Sequence, residues 1–135
     1  MIVVIDPGSR IPLGEQLRSQ LERMILSGEL AAGTQLPAIR HLAADLDLAP
    51  GTVAKVYEEL AASGYITTAR RRGTVVADIR TLLGADPAKA AAELALAAEH
   101  LALLAQQSGL GVAAAYSAVT DAFRQLATRQ QTLQR

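Results

Sequence analysis

The sequence predicts a mainly α fold with a small β-hairpin, and three features of residues 35–79 carry that prediction. Two short stretches place apolar residues at i, i+3, i+4 and i+7: Ile39, Leu42, Ala43 and Leu46, then Val53, Val56, Tyr57 and Leu60. Each stretch is therefore a helix that buries one stripe. Ser63-Gly64 stops the second helix, and two β-prone runs follow, Tyr65-Ile66-Thr67-Thr68 and Thr74-Val75-Val76-Ala77, able to pair around Arg71-Arg72-Gly73. The small and polar residues of the second helix (Gly51, Thr52, Ala54, Lys55) collect at its amino end, which suits close approach to base edges. Two striped helices and a hairpin with a basic tip, in that order, make a winged helix-turn-helix, a reader of DNA.

From the amino end, Ile2 to Ile5 reads as an extended lead-in closed by the turn formers Asp6-Pro7-Gly8-Ser9. A first helix follows with Leu13, Leu17, Leu21, Met24 and Ile25 on one face, ended by Ser27-Gly28. Ala32-Gly33-Thr34 is a turn, and Leu36-Pro37 closes an extended link before the second helix, whose first turn carries Arg40. Asp47-Leu48-Ala49-Pro50 is the tight turn into the recognition helix, with Ala49 at the N-cap and Pro50 at the first helical position, where its missing N–H is no loss. Lys55 is expected on phosphate rather than a base edge, because its point charge lacks the planar fork that reads guanine. Arg70, Arg71 and Arg72 at the hairpin tip form a groove or phosphate clamp, and Gly73 gives the backbone room to approach.

Beyond Asp86 the chain turns alanine-rich and helical in two pieces. Asp86-Pro87 is an N-cap with proline at the first helical position, and Ser108-Gly109 with Gly111 separates the helices. Val112, Val119, Leu126 and Leu133 recur every seven residues, Tyr116 and Phe123 repeat beside them, and Leu94, Leu101 and Leu104 line the preceding helix. Two isolated helices cannot bury that much apolar surface alone. They either fold back on the first part of the chain or pair with a second copy. The domains expected are thus 1–80, a winged helix-turn-helix, and 81–135, a two-helix dimerisation segment.

Composition removes several function classes. Hydrophobic residues make up 50% of the 135, enough for a real core. The absence of cysteine excludes disulfides, thiolate metal sites and a cysteine nucleophile. His41 and His100 are far apart and no glycine loop cradles phosphate, so no catalytic constellation, metal site or cofactor is expected. The apolar run Ile2–Ile5 is too short for a signal peptide, and no stretch approaches the roughly 18 apolar residues of a membrane span, so a cytoplasmic protein is expected. Net charge is +0, with nine basic and nine acidic residues in 1–80 and four of each in 81–135. That argues against a nonspecific DNA coat and for charge arranged locally, with modest nonspecific affinity and appreciable salt sensitivity.

The stretch from Pro12 to Val76 resembles the DNA-binding domain of the GntR family of bacterial transcription regulators. The matches are Pro-Leu-x-x-Gln-Leu at 12–17, Ser-Gly-Glu-Leu at 27–30, Gly-Thr-x-Leu-Pro at 33–37, Arg40, Thr-Val at 52–53, Glu-Leu at 59–60, Gly64 and Gly-Thr at 73–74. Ala-Pro-Gly-Thr-Val-Ala-Lys-Val-Tyr-Glu-Glu-Leu at 49–60, followed by only two helices, is similar to the YtrA-like subgroup. The resemblance implies that Arg40 reaches DNA, that the Thr52 hydroxyl contacts phosphate or base, and that the tail pairs two chains.

This chain also departs from the family pattern. Gly14 stands where an aromatic is common, Ala49 where Ser, Thr or Asn caps the recognition helix, and Pro50 and Ala54 where other subgroups carry arginine. Base readout is therefore not transferable from those relatives. The expected function is a sequence-specific regulator, a repressor, acting as a homodimer on a two-fold operator. The DNA-contacting residues expected are Arg40, Gly51, Thr52, Lys55, Arg70, Arg71, Arg72 and Gly73, and the dimer contacts Leu94, Leu101, Leu104, Val112, Tyr116, Val119, Phe123 and Leu126. The 55 residues after Arg80 are too few for the family's larger ligand-binding domains. A small-molecule effector of unidentified chemistry, if one acts, would bind at the dimer interface or between tail and DNA-binding domain. The alternative is a helical module that binds a protein partner and keeps the winged helix only as scaffold.

Overall fold

In the computed structural model of the chain, residues 1–84 and 86–133 are described, those at 81–83, 130 and 133 by backbone alone. The chain divides into two compact units, Met1–Ala85 and Asp86–Arg135.

In the first unit α1 (Leu13–Leu26), α2 (Ile39–Leu46) and α3 (Pro50–Ala62) pack around a core built from Leu17, Leu21, Met24, Leu42, Val53, Val56 and Leu60, as the spacing predicts. Leu13 departs from the expected stripe. It starts the helix behind an N-cap at Pro12, projects beyond the core and is exposed. Gln16 is a buried polar residue, and each end of its amide is satisfied. Its Nε2 donates to the carbonyls of Asp6 (3.0 Å) and Ile11 (2.8 Å), and its Oε1 accepts from the Asp6 N–H (2.8 Å). One turn on, Gln20 Oε1 accepts from the Val4 N–H and Nε2 donates to the Val4 carbonyl, at 3.0 and 2.7 Å. Two amides thus strap the lead-in to α1, and Val3 and Ile5 pack half-buried on the core.

The turn from α2 to α3 needs a left-handed residue, and Asp47 takes it at φ 54°. Its short side chain tolerates that conformation better than most. Leu48 then drops into the core while its N–H donates to the Ala43 carbonyl at 2.9 Å.

Strands β1 (Ile66–Ala69) and β2 (Gly73–Val76) pair antiparallel with Ile66 opposite Val76 and Ala69 opposite Gly73. The observed strands sit one residue later and one earlier, respectively, than the expected runs, and an Ala77-to-Tyr65 hydrogen bond of 2.9 Å continues the ladder. The link before α2 covers the other edge of β2. Gly33 N–H donates to Val76 O (2.8 Å), Val76 N–H to Thr34 O (2.9 Å) and Leu36 N–H to Thr74 O (2.8 Å). A short helix, α4 (Ile79–Gly84), follows the hairpin, and Asp78 Oδ1 accepts from the Arg80 N–H at its start (3.1 Å). Apolar spacing predicts no element there, although Asp78 is an N-cap signal.

The second unit consists of α5 (Pro87–Gln107) and α6 (Val112–Leu133). Asp86 caps α5, its Oδ1 accepting from Ala88 N–H (3.1 Å) and Lys89 N–H (3.3 Å). Gly109, at φ 71°, allows the reversal between the helices. The half-buried residues of the pair are mostly small, Ala90, Ala105, Ala114 and Ala115 with Leu101. None of α5 is buried, and Leu94 (72%), Tyr116 (70%) and Phe123 (70%) lie largely exposed, with Leu104, Val112, Val119 and Leu126 exposed beside them. The Leu133 side chain, last of the heptad set, lies outside the described residues.

Candidate nucleic-acid interface

The apolar stripe of α3 determines what its other face presents. Because Val53, Val56, Tyr57 and Leu60 turn inward, Gly51, Lys55 and Glu58 are exposed, and Thr52 and Ala54 are half-buried at the edge. Ala49 is the N-cap, with φ −65° and ψ 137°, and no side chain caps the helix. Pro50 brings no N–H, and the Thr52 and Val53 N–H groups donate to the Ala49 carbonyl at 3.0 and 3.4 Å, so in the first turn the Gly51 N–H is the donor left toward an anion.

Three bonds join the pieces of the site through the link at 33–38. Arg72 Nη2 reaches the Gly33 carbonyl at 3.4 Å, at the start of the link. Tyr57 Oη donates to the Pro37 carbonyl at 2.7 Å, near its end. The Leu42 N–H donates to the Ala38 carbonyl at 3.0 Å, fastening the link to α2, on whose first turn Arg40 lies exposed. The recognition helix, the wing and the start of α2 are therefore tied to one segment. Burial pushes the Tyr57 phenol up from 10.0 to about 12, so it remains a donor throughout the physiological range.

Charge is sorted in the same region. Arg18 on α1 pairs with Glu22 (2.9 Å), with Glu59 of α3 (3.6 Å) and with Glu15 (3.9 Å), compensating an acid on the recognition helix. Among the described residues Arg40, Lys55, Arg70, Arg71 and Arg72 make no ion pair. All five are exposed. The wing tip is shaped by two left-handed residues, Arg71 (φ 72°) and Gly73 (φ 69°), and closed by an Arg72 N–H to Ala69 carbonyl bond of 3.3 Å.

Sequence reasoning missed three parts of this arrangement: the Arg18 bridge, the Tyr57 tie, and an open cleft between α1 and α3 lined by Gly14, Arg18, Thr52 and Lys55. Each depends on residues far apart in the chain. His41 and His100 are both exposed, and among the described residues no cluster of three or more His, Asp or Glu is placed to hold a metal ion. No helix of the described residues is long and apolar enough to cross a membrane.

A three-helix core, a two-stranded wing and uncompensated cations on both define a winged helix-turn-helix regulator of transcription. The sequence profile of the bacterial regulatory proteins, gntR family, matches residues 13–76. The HTH-type transcriptional regulator Rv1152 of Mycobacterium tuberculosis is 36% identical over 106 residues, 78% of this chain and 81% of that protein. The HTH-type transcriptional repressor YtrA of Bacillus subtilis is 39% identical over 77 residues, 57% of this chain and 59% of its own length. Among solved structures, YtrA from Sulfolobus acidocaldarius, a GntR-family transcription factor, is 35% identical with a TM-score of 0.53, covering 68% of this chain and 99% of that one. The chain belongs to the GntR family, as a YtrA-like regulator.

Proposed function

We propose that this protein is a sequence-specific repressor that binds a two-fold operator as a homodimer. Unit one, with the 1–80 region at its heart, reads DNA. The 81–135 region joins two copies. The observation that carries this reading is the pairing of a reader whose Arg40, Lys55 and wing arginines are uncompensated with helices whose apolar side chains stand exposed. The first supplies phosphate and base contacts. The second leaves a stripe that water disfavours and a second copy would cover, by about 25 cal/mol for each Å² of apolar surface removed. Repression is favoured by the B. subtilis relative, itself described as a repressor. A cytoplasmic location follows from where a bacterial operator lies.

In this reading Gly51, Thr52 and Lys55 of α3 enter the major groove, Arg40 takes the adjacent backbone or base edge, and Arg70, Arg71, Arg72 and Gly73 hold the flanking groove. Selection of bound sequences from random duplex DNA, followed by footprinting, tests it. The expected product is an inverted repeat with half-sites one helical turn, or a multiple of it, apart. Recovery of no consensus, with binding that is weak and equally strong on any duplex, would favour the protein-interaction alternative.

A further inference from the structure

Gly14 occupies the first turn of α1, where glycine costs roughly 0.5–1 kcal/mol relative to alanine. The structure shows what an alanine would meet. A Cβ at Gly14 would lie 3.3 Å from Cγ2 of Thr52 and 3.6 Å from Cγ2 of Val56. One turn later on α1, Arg18 grips Glu59 at 3.6 Å, so α1 touches α3 along the row 52, 56 and 59. Val56 is buried and held by the core, whereas Thr52 is half-buried at the edge. Any added atom at position 14 is therefore accommodated at Thr52.

The Thr52 side chain is oriented by packing. In α6 the hydroxyls of Thr120, Thr128 and Thr132 each donate to a carbonyl four residues earlier, at 2.9, 3.0 and 3.1 Å. Thr52 sits too near the start of α3 for that bond, its fourth predecessor being Leu48 outside the helix. Among the described residues its hydroxyl has no hydrogen-bond partner. Its methyl lies beside Gly14, and because threonine Cβ is chiral, that placement leaves the hydroxyl a single staggered direction.

We propose that Gly14 is a positioning residue for DNA recognition: the bare Cα of α1 seats the Thr52 methyl and thereby aims the Thr52 hydroxyl and sets the depth of the first turn of α3. This rests on the reading of Thr52 as a DNA contact. In this chain, where the buried Val56 cannot give way, a Cβ at 14 rotates Thr52 about χ1 or lifts the first turn by a few tenths of an ångström. Either change moves the hydroxyl off its target.

The test is a double-mutant cycle in the full-length protein, read as affinity for the operator recovered by selection with the unmodified protein. Gly14→Ala is expected to lower operator affinity about 3- to 10-fold, the range of one hydrogen bond, while nonspecific affinity is unchanged. Its thermal stability is expected to hold or rise, since alanine favours the helix. Thr52→Ser keeps the hydroxyl but removes Cγ2, both the atom an alanine would meet and the group that aims the hydroxyl, so it lowers operator affinity on its own and serves as the background in which Gly14→Ala is read. In the Thr52→Ser background Gly14→Ala is expected to cost no further affinity, because the methyl that the alanine displaces is absent. An unchanged affinity for Gly14→Ala, or an equal loss whether residue 52 is the native threonine or serine, overturns the proposal, whatever happens to stability. Thr52→Ala separates the two readings, because full affinity in that variant removes Thr52 as a contact and leaves Gly14 nothing to aim.

Discussion

Ala49 holds the N-cap position of the recognition helix with the extended backbone a cap requires and no side chain to use it. Ala49→Ser should therefore stabilise the protein by about 0.5–2 kcal/mol, the measured worth of such caps. The same hydroxyl lies at the DNA-facing end of α3, so operator affinity should rise with stability while sequence preference stays the same. Thermal unfolding and titration of the same variant check both, and a loss of stability would show residue 49 to be packed rather than capping. Arg40→Ala removes an exposed cation with no ion pair among the described residues, so operator affinity should fall by about 1–3 kcal/mol with little change in melting temperature. Tyr57 yields a pH prediction. Its folded value of about 12 lies above the ordinary 10.0, so the neutral phenol stabilises the fold fully below pH 10. That contribution is lost as pH rises from 10 toward 12. Alkaline unfolding should flatten in Tyr57→Phe, and ultraviolet titration should show a late tyrosinate transition that the same substitution removes. The same substitution breaks the bond to Pro37 and should cost about 0.5–1.5 kcal/mol at neutral pH.

At the scale of elements, the wing is a short two-stranded ribbon, an arrangement marginal by itself. It is held because Ile66 and Val76 are buried and because the 33–36 link hydrogen-bonds to the free edge of β2. Its tip can therefore be altered without unfolding the domain. Arg71 is left-handed, so glycine is the substitution that adds no strain there. Arg71→Gly with Arg72→Ala should reduce the slope of log affinity against log salt by about 2, one counterion for each phosphate that the wing no longer neutralises. Titration at several salt concentrations measures this, and an unchanged slope would take the wing off the DNA. The helices and the hairpin were legible from local pattern: apolar residues at helical spacing, Asp86-Pro87 at a helix start, Gly64 and Gly109 after helix ends. The pairing of the link with the outer edge of β2 was not legible, because Thr34-Gln35-Leu36 carries no alternation and becomes strand-like only where β2 offers it unpaired groups.

At the scale of the molecule, unit one has its own core, whereas no residue of α5 in unit two is buried. A fragment ending at Ala85 should therefore fold as a monomer and bind operator weakly. The full chain should sediment as a dimer at micromolar concentration, and Phe123→Glu should break that dimer without unfolding unit one. A monomeric full chain, or a dimeric fragment, would remove Val112, Tyr116, Val119, Phe123 and Leu126 from the proposed interface. By itself the sequence determined the elements other than α4, their order, the turn residues between most of them, and the family, because each rests on neighbours within one or two turns of chain. Only the tertiary structure decided which surface those elements share. Gln16 and Gln20 strapping the lead-in, Arg18 compensating Glu59, Tyr57 holding Pro37 and Gly14 seating Thr52 are all pairs distant in sequence. No periodicity announces such pairs. They exist because packing the three stripes into one core brings the unstriped edges of the helices within bonding distance, and those edges hold the recognition helix in place.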